Sequence, residues 1–446
     1  MTAWALAAVE VVDVPLMAAI AAQAVCRISS FNAQNLSLTA WSFAVVTFAH
    51  APLLESIAAS SMAKMGEFAP QNLGNIAWAC AKVGFVNEPL MAAIAAAAIS
   101  RMHDFGPQNI SNIAWSCATC AWMHVPLLNA MAARALRTLD EGDFSSQDLA
   151  LTAWSFAKCA FEHRPLMAVM AKSAVARMSE LHGRHLSIIA WSFATLLVLH
   201  PPLFEALSSA SLCKLADFDA QNLSNTAWAF ASVSIIDLPL FSAISARAIL
   251  QICYFDMQGL ANIAWSFAKV AFVDVPLFNA IAASALPLIS EFAVLNLMNI
   301  AWSFAKCALF HEPLLSVLSA GFRAKMAEFA PLDISRTLWS EAALSLRDEP
   351  LIQALSARAG CLMALGAQAF APQDLSLTAW AFAKVAVRDL PLMTAIASSA
   401  RPRLVASSEP QCVDGSTAWS CKSGLSSSER LEPRSRSGPR RRPRRM

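Results

Sequence analysis

NIAWSFAK occurs identically at residues 262–269 and 299–306, and the fold class follows from this stretch and its copies. Near-copies recur as NIAWACAK at 75–82, NIAWSCAT at 112–119, LTAWSFAK at 151–158 and LTAWAFAK at 377–384. Its tryptophan sets a rhythm. Trp4, Trp41, Trp78, Trp115, Trp154, Trp191, Trp228, Trp265, Trp302, Trp339 and Trp380 follow one another at 37 residues, with single intervals of 39 and 41. A fixed period of this length is the signature of stacked helical units, none of which can bury its apolar face alone. The expected fold is all-α: a right-handed α-solenoid of about eleven two-helix, 37-residue repeats over residues 1–403, followed by a tail at 404–446.

Composition fits Ala- and Leu-rich helices packed on both sides. The chain is 57% hydrophobic and 14% charged, above the roughly 45–50% apolar content of ordinary soluble domains. Its apolar segments, broken by Pro, Gln, Asn and Ser, last about 12–15 residues, short of the roughly 20 that span a bilayer. No membrane partner is expected. The net charge of +2 hides an asymmetry: residues 1–400 carry 22 Lys and Arg against 27 Asp and Glu, and residues 401–446 carry 11 against 4. Anion binding by the repeats therefore needs local segregation of charge.

Each repeat reads as two helices. Pro with Gln and Asn opens the first, as at Pro70-Gln71-Asn72 and Pro107-Gln108-Asn109, because a first-turn N–H has no intrahelical partner to lose. A proline stands eleven residues after every one of the eleven tryptophans and opens the second helix, from Pro15 to Pro391. Two residues before each of these prolines comes Asp, Asn or His. Asp and Asn there are N-caps, and His50, His124, His163, His200 and His311 in the same column are read as caps through a neutral ring nitrogen. Acidic-Phe pairs such as Glu67-Phe68 and Glu328-Phe329 close the units, the Phe sealing each joint. Extra residues fall around Glu141-Gly142 and Leu365-Gly366.

Cys117 and Cys120 form a CxxC without a second pair to complete a zinc site, and their columns elsewhere hold Phe, Val, Leu or Cys. They read as core. The ends are uneven. Met1 enters in mid-motif with no charged, cleavable presequence before it, and Thr417–Cys421 resembles a twelfth motif that is not sustained. The tail beyond it, Ser/Pro/Arg-rich and ending GPRRRPRRM, is expected to be disordered.

On a helical wheel with Trp at 0°, the residue seven before it falls at about 20°, that four after at about 40°, that three before at about 60° and that one after at about 100°. These positions form one polar stripe. Two columns in it vary. Three before Trp stand Asn75, Asn112, Asn225, Asn262, Asn299 and Arg336, with Leu38, Leu151, Ile188 and Leu377 elsewhere. Four after Trp stand Lys82, Thr119, Lys158, Ser232, Lys269, Lys306 and Lys384. Stacking would turn them into two parallel rows. Asn offers donor and acceptor to a base edge and Lys meets phosphate, the device of modular single-strand RNA readers. The same stripe also reads as a solvated face, and the tryptophan as packing between repeats.

The unit PQNLSNIAWSFAK…DVPLFNAIA resembles the 37–38-residue helical repeats of organellar RNA-binding proteins, the heptatricopeptide and octotricopeptide classes. It is also similar to the repeat region of the RNA-editing substrate-binding complex subunit 6 type, often found with a RAP domain. The resemblance covers about residues 1–403. It implies RNA binding in mitochondria or plastids, in RNA stability, processing, editing or ribosome biogenesis.

The leading expectation is a single-stranded RNA-binding protein that reads bases from the first-helix face, using Asn75, Lys82, Asn112, Thr119, Lys158, Asn225, Ser232, Asn262, Lys269, Asn299, Lys306, Arg336 and Lys384. Expected partners are single-stranded RNA and other proteins of a ribonucleoprotein complex. The competing reading is a protein-interaction scaffold, to which net acidity and the row leucines point. A third gives RNA binding, or a nuclear import signal, to the tail alone. No enzyme, cofactor or metal is expected, since the sequence carries no Gly-rich phosphate loop, metal-ligand cluster or acid/base pair outside repeat positions.

Overall fold

A computed structural model describes residues 2–8, 13–365 and 370–407. The described residues form twenty-two α-helices and no strand, in eleven consecutive pairs. Pairs are numbered as repeats 1–11 by their tryptophans, Trp4 to Trp380. In repeat 8 the first helix runs Met257–Lys269 and the second Val275–Ala285; in repeat 10 they run Pro331–Ala343 and Glu349–Leu365. Met1–Ala400 is one compact unit. The last helix, Leu390–Ser407, passes the expected boundary at 403, and the twelfth motif and the rest of the tail lie outside the described residues. No helix among the described residues is long and apolar enough to cross a membrane.

Capping explains where each second helix starts. Asp13, Asn87, Asp237, Asp274, Asp348 and Asp389 accept the N–H of the leucine three residues on, at 2.9–3.0 Å. The five histidines do the same through Nδ1 at 3.1–3.2 Å. The first helices stop at a device that the sequence does not signal. Six residues after Trp the chain turns left-handed, at φ 50–58° in nine repeats with a non-glycine residue and at 68° in Gly84. The next N–H then returns to the carbonyl two residues after Trp, as from Phe272 to Phe267 at 2.9 Å. This is a Schellman closure, here made almost entirely without glycine.

Neighbouring repeats are joined by four kinds of contact. The closing phenylalanines are mostly buried, Phe68, Phe105, Phe292 and Phe329 at 0–1% exposure. Serines four before Trp bond to the residue six before the next Trp: Ser37 with Asn72, Ser111 with Asp148, Ser187 with Asn222 and Ser335 with Asp374. Basic side chains twelve after the proline cross to carbonyls of the preceding turn, as Lys64 does to Ser29 and Phe31, Arg101 to Gly66 and Phe68, and Lys214 to Ser179 and Leu181.

The fourth contact couples caps to serines. Ser208 donates to Asp237 and Ser245 to Asp274, at 2.5 and 2.6 Å, and Ser319 and Ser356 donate to Asp348 and Asp389. Each of these serines stands six residues after its helix's proline. Where the next cap is His or Asn, that position is alanine: Ala21, Ala58, Ala95, Ala132, Ala171 and Ala282. A carboxylate has a second oxygen that needs a donor when it is drawn into the joint, whereas a ring bonded through Nδ1 needs room.

The structure places the first insertion and changes one sequence expectation. Helix Val125–Glu141 absorbs the first insertion by growing to 17 residues and ending at left-handed Gly142. The residue one after Trp leaves the polar stripe. Ser42, Ser116, Ser155, Ser192, Ser266 and Ser303 are buried at 0–1% exposure, each hydroxyl donating to the carbonyl four residues back. Their wheel position at about 100° lies beside the residue six before Trp, at about 120°, on the flank that abuts the preceding repeat. The exposed stripe is therefore narrower than amphipathicity alone suggests.

Candidate functional site

First helices pack against one another much more extensively than second helices do. Alanine, serine and glycine on their flanks permit the approach, and the closer row forms the inner side of the stack. What remains open there is the sector from about 0° to 60°, carrying Trp with the residues three before and four after it. At 1.5 Å per residue these make three parallel rows, the Asn row about 4.5 Å to one side of the Trp row and the Lys row about 6 Å to the other.

Asn75, Asn112, Asn225, Asn262 and Asn299 are all half-buried, and Arg336 in the same row is exposed. Lys82, Thr119, Lys158, Lys306 and Lys384 are exposed, and Lys269 is half-buried. Among the described residues none of these side chains bonds to another residue. Ser232 differs: its Oγ is shut away from solvent without a partner, so the hydroxyl does not face the row. The Asn row is consecutive from Asn225 to Asn299 and continues into Arg336, while Leu151 and Ile188 separate it from Asn75 and Asn112.

The tryptophans, which the sequence presents as joints, are also surface. Trp41 through Trp339 are half-buried, and Trp4 and Trp380 are exposed at 44% and 45%. Rings of successive repeats touch: Trp191, Trp228, Trp265, Trp302 and Trp339 form an unbroken series with centroids 6.3–6.5 Å apart and planes tilted by 31–33°. Trp78 and Trp115 form a separate pair at 6.2 Å.

Other candidate chemistry is absorbed by the core. Cys117 is buried, its thiol pushed up to about 12 by burial, and Cys120 beside it is half-buried with its pKa also raised by burial. Glu341 occupies the position two after Trp that elsewhere holds Phe, Cys or Leu. Burial, with Asp348 nearby, pushes its carboxyl up to about 7, and its Oε2 has no partner.

Fold and surface define a helical-repeat α-solenoid with a periodic polar and aromatic inner face. The sequence profile of the RNA-editing substrate-binding complex 6 protein family matches residues 5–161 and 141–312. The chain belongs to that family. No curated protein matches it. Among solved structures, a chain of the homology model of the full-length AP-3 complex in an intermediate open conformation aligns at 10% identity, over 90% of this chain and 89% of that one, with a TM-score of 0.28.

Proposed function

We propose that this protein is a non-enzymatic, single-stranded RNA-binding subunit of organellar RNA metabolism, in mitochondria or plastids, working in RNA processing, stability, editing or ribosome biogenesis with other proteins of a ribonucleoprotein complex. The observation that carries the reading is the set of unpartnered amides in register, Asn75, Asn112, Asn225, Asn262 and Asn299, facing outward from the closely packed first helices. An amide in such a row can donate to and accept from one base edge per repeat. Membership in a family named for an RNA-editing substrate-binding complex agrees with it. Lys82, Lys158, Lys269, Lys306, Lys384 and Arg336 supply phosphate contacts in a body whose overall balance is acidic.

Fluorescence anisotropy of the full chain with labelled RNA oligomers tests this. Six row cations predict a slope of log affinity against log salt of about −4, at roughly −0.7 per phosphate contact on a single strand. Asn225→Ala, Asn262→Ala and Asn299→Ala together change which sequences bind best, whereas Lys→Ala changes in the row weaken all sequences alike. Absence of RNA binding at low salt sinks the reading, and capture of a peptide on the same rows favours a protein scaffold instead.

A further inference from the structure

Packing between repeats does not account for the whole of the tryptophan row. A residue serving only to fill a joint is buried as Phe68, Phe105, Phe218, Phe292 and Phe329 are, at 0–1% exposure. Nine of the eleven row tryptophans stay half-buried and two are exposed, although the residues on either side of Trp191, Trp228 and Trp265, alanine or serine in each case, are fully buried. Nor is the indole N–H used internally, since among the described residues none in the row donates to another residue. From Trp191 to Trp339 the rings touch in sequence, so five half-buried indoles with free donors make one continuous strip between the Asn row and the Lys row.

Resting on the RNA-binding reading above, we infer that the strip Trp191–Trp228–Trp265–Trp302–Trp339 is a stacking platform for the bases of single-stranded RNA, giving affinity that does not depend on sequence. The order of the rows matches the order of groups across a nucleotide. Phosphate meets Lys269 and Lys306 on one side, the flat base lies on the indoles, and its hydrogen-bonding edge meets Asn225, Asn262 and Asn299 on the other. Every base has a π-face, so stacking tolerates any sequence, and the amides discriminate among bases. The N–H groups add donors to base or ribose oxygens. The isolated Trp78–Trp115 pair with Asn75 and Asn112 makes a shorter second platform, separated by the repeats that carry Leu151 and Ile188.

The experiment compares full-length variants against the four homopolymeric RNA oligomers by anisotropy. Trp228→Leu with Trp265→Leu keeps an apolar side chain at each joint and removes the ring. Its affinity for all four oligomers is expected to fall by a similar factor, on the order of tenfold or more per ring. Trp228→Phe with Trp265→Phe retains a stacking face and stays within a few-fold of the parent. Trp122→Leu, outside the row, binds as the parent does, and circular dichroism melting confirms that each variant is folded. Folded leucine variants that bind all four RNAs as tightly as the parent overturn the platform while leaving RNA binding by the Asn and Lys rows intact. A loss confined to one oligomer overturns it as well, because the rings would then be reading base identity. If the parent binds none of the four, the functional reading fails and the platform with it.

Discussion

Repeats 8 and 10 are built on one backbone and filled differently. Both turn left-handed six after Trp, at Ala271 and Ser345, and both cap their second helix with an aspartate that accepts from a serine of the preceding repeat. Repeat 8 fills its core with Phe267, edge-on to Phe241 at 5.1 Å and to Phe272 at 5.7 Å. Repeat 10 places Glu341 at the equivalent point. It also exchanges the row pair Asn262 and Lys269 for Arg336 and Ala343. The geometry of a repeat is thus held by caps, closures and joints, and neither the core aromatic nor the row pair is needed to keep the register. Function can vary along the rows because the fold does not depend on them.

The largest expected effect comes from removing the charge at Glu341. The folded chain holds this proton where an ordinary carboxyl has lost it. The burial cost is therefore absent below about pH 4.5, grows as pH rises through 7, and is complete above that. Glu341→Gln should stabilise the protein by up to about 3 kcal/mol at pH 8 and by little at pH 5. Thermal melting at both pH values checks this, and an equal gain at both would refute the assignment.

Next comes the joint that enters repeat 8. Ser245→Ala leaves Asp274 with an unmet oxygen and should cost roughly 1–3 kcal/mol. Adding Asp274→His recreates the alanine–histidine joint found elsewhere in the chain and should recover part of the loss. A double-mutant cycle by urea denaturation measures the coupling, and additive effects would break the pairing rule. Smaller still, Ala343→Lys gives repeat 10 the row cation of repeat 8, tightening RNA binding a few-fold and steepening the salt slope by about 0.7. The smallest change is Ala271→Gly, which relieves the left-handed residue and should raise stability by roughly 0.5–1 kcal/mol, read as a higher melting midpoint.

The period, the proline and cap columns, the histidines as caps and the closing phenylalanines are all legible in the sequence. They are contacts within a repeat or at fixed offsets, so they show directly as columns. Features that depend on facing another repeat are not legible in this way. The serine one after Trp looks exposed on an isolated wheel, but its flank meets the preceding helix, and its hydroxyl can be buried because a carbonyl of its own helix accepts from it. The left-handed closure leaves no trace because Thr, Ala, Leu and Ser fill it where glycine would be the signal. Arg101 and Lys64 bond to backbone carbonyls, which no sequence column displays. The size of tryptophan invites assignment to the interior, and this hides the exposed strip. The row residues do stand out, because a position that varies between Asn, Leu and Arg in an otherwise repeating helix is not fixed by packing.

The cap–serine joints have an evolutionary consequence. Arrays of this kind grow when recombination between similar units copies or deletes a repeat, and identical stretches such as 262–269 and 299–306 make such events easy. Units are interchangeable in their row residues but not in their joints. A copy whose second helix carries alanine, inserted ahead of an aspartate-capped unit, creates a carboxylate oxygen with no donor, and the reverse insertion sets serine against a ring. The boundary between the two joint types, crossed between Ala171–His200 and Ser208–Asp237 and again around Ala282–His311, marks where such copying is penalised. Duplication is easier within a block than across its edges, so the run of repeats that carries Asn225, Asn262 and Asn299 can change its length only with the joints that hold it.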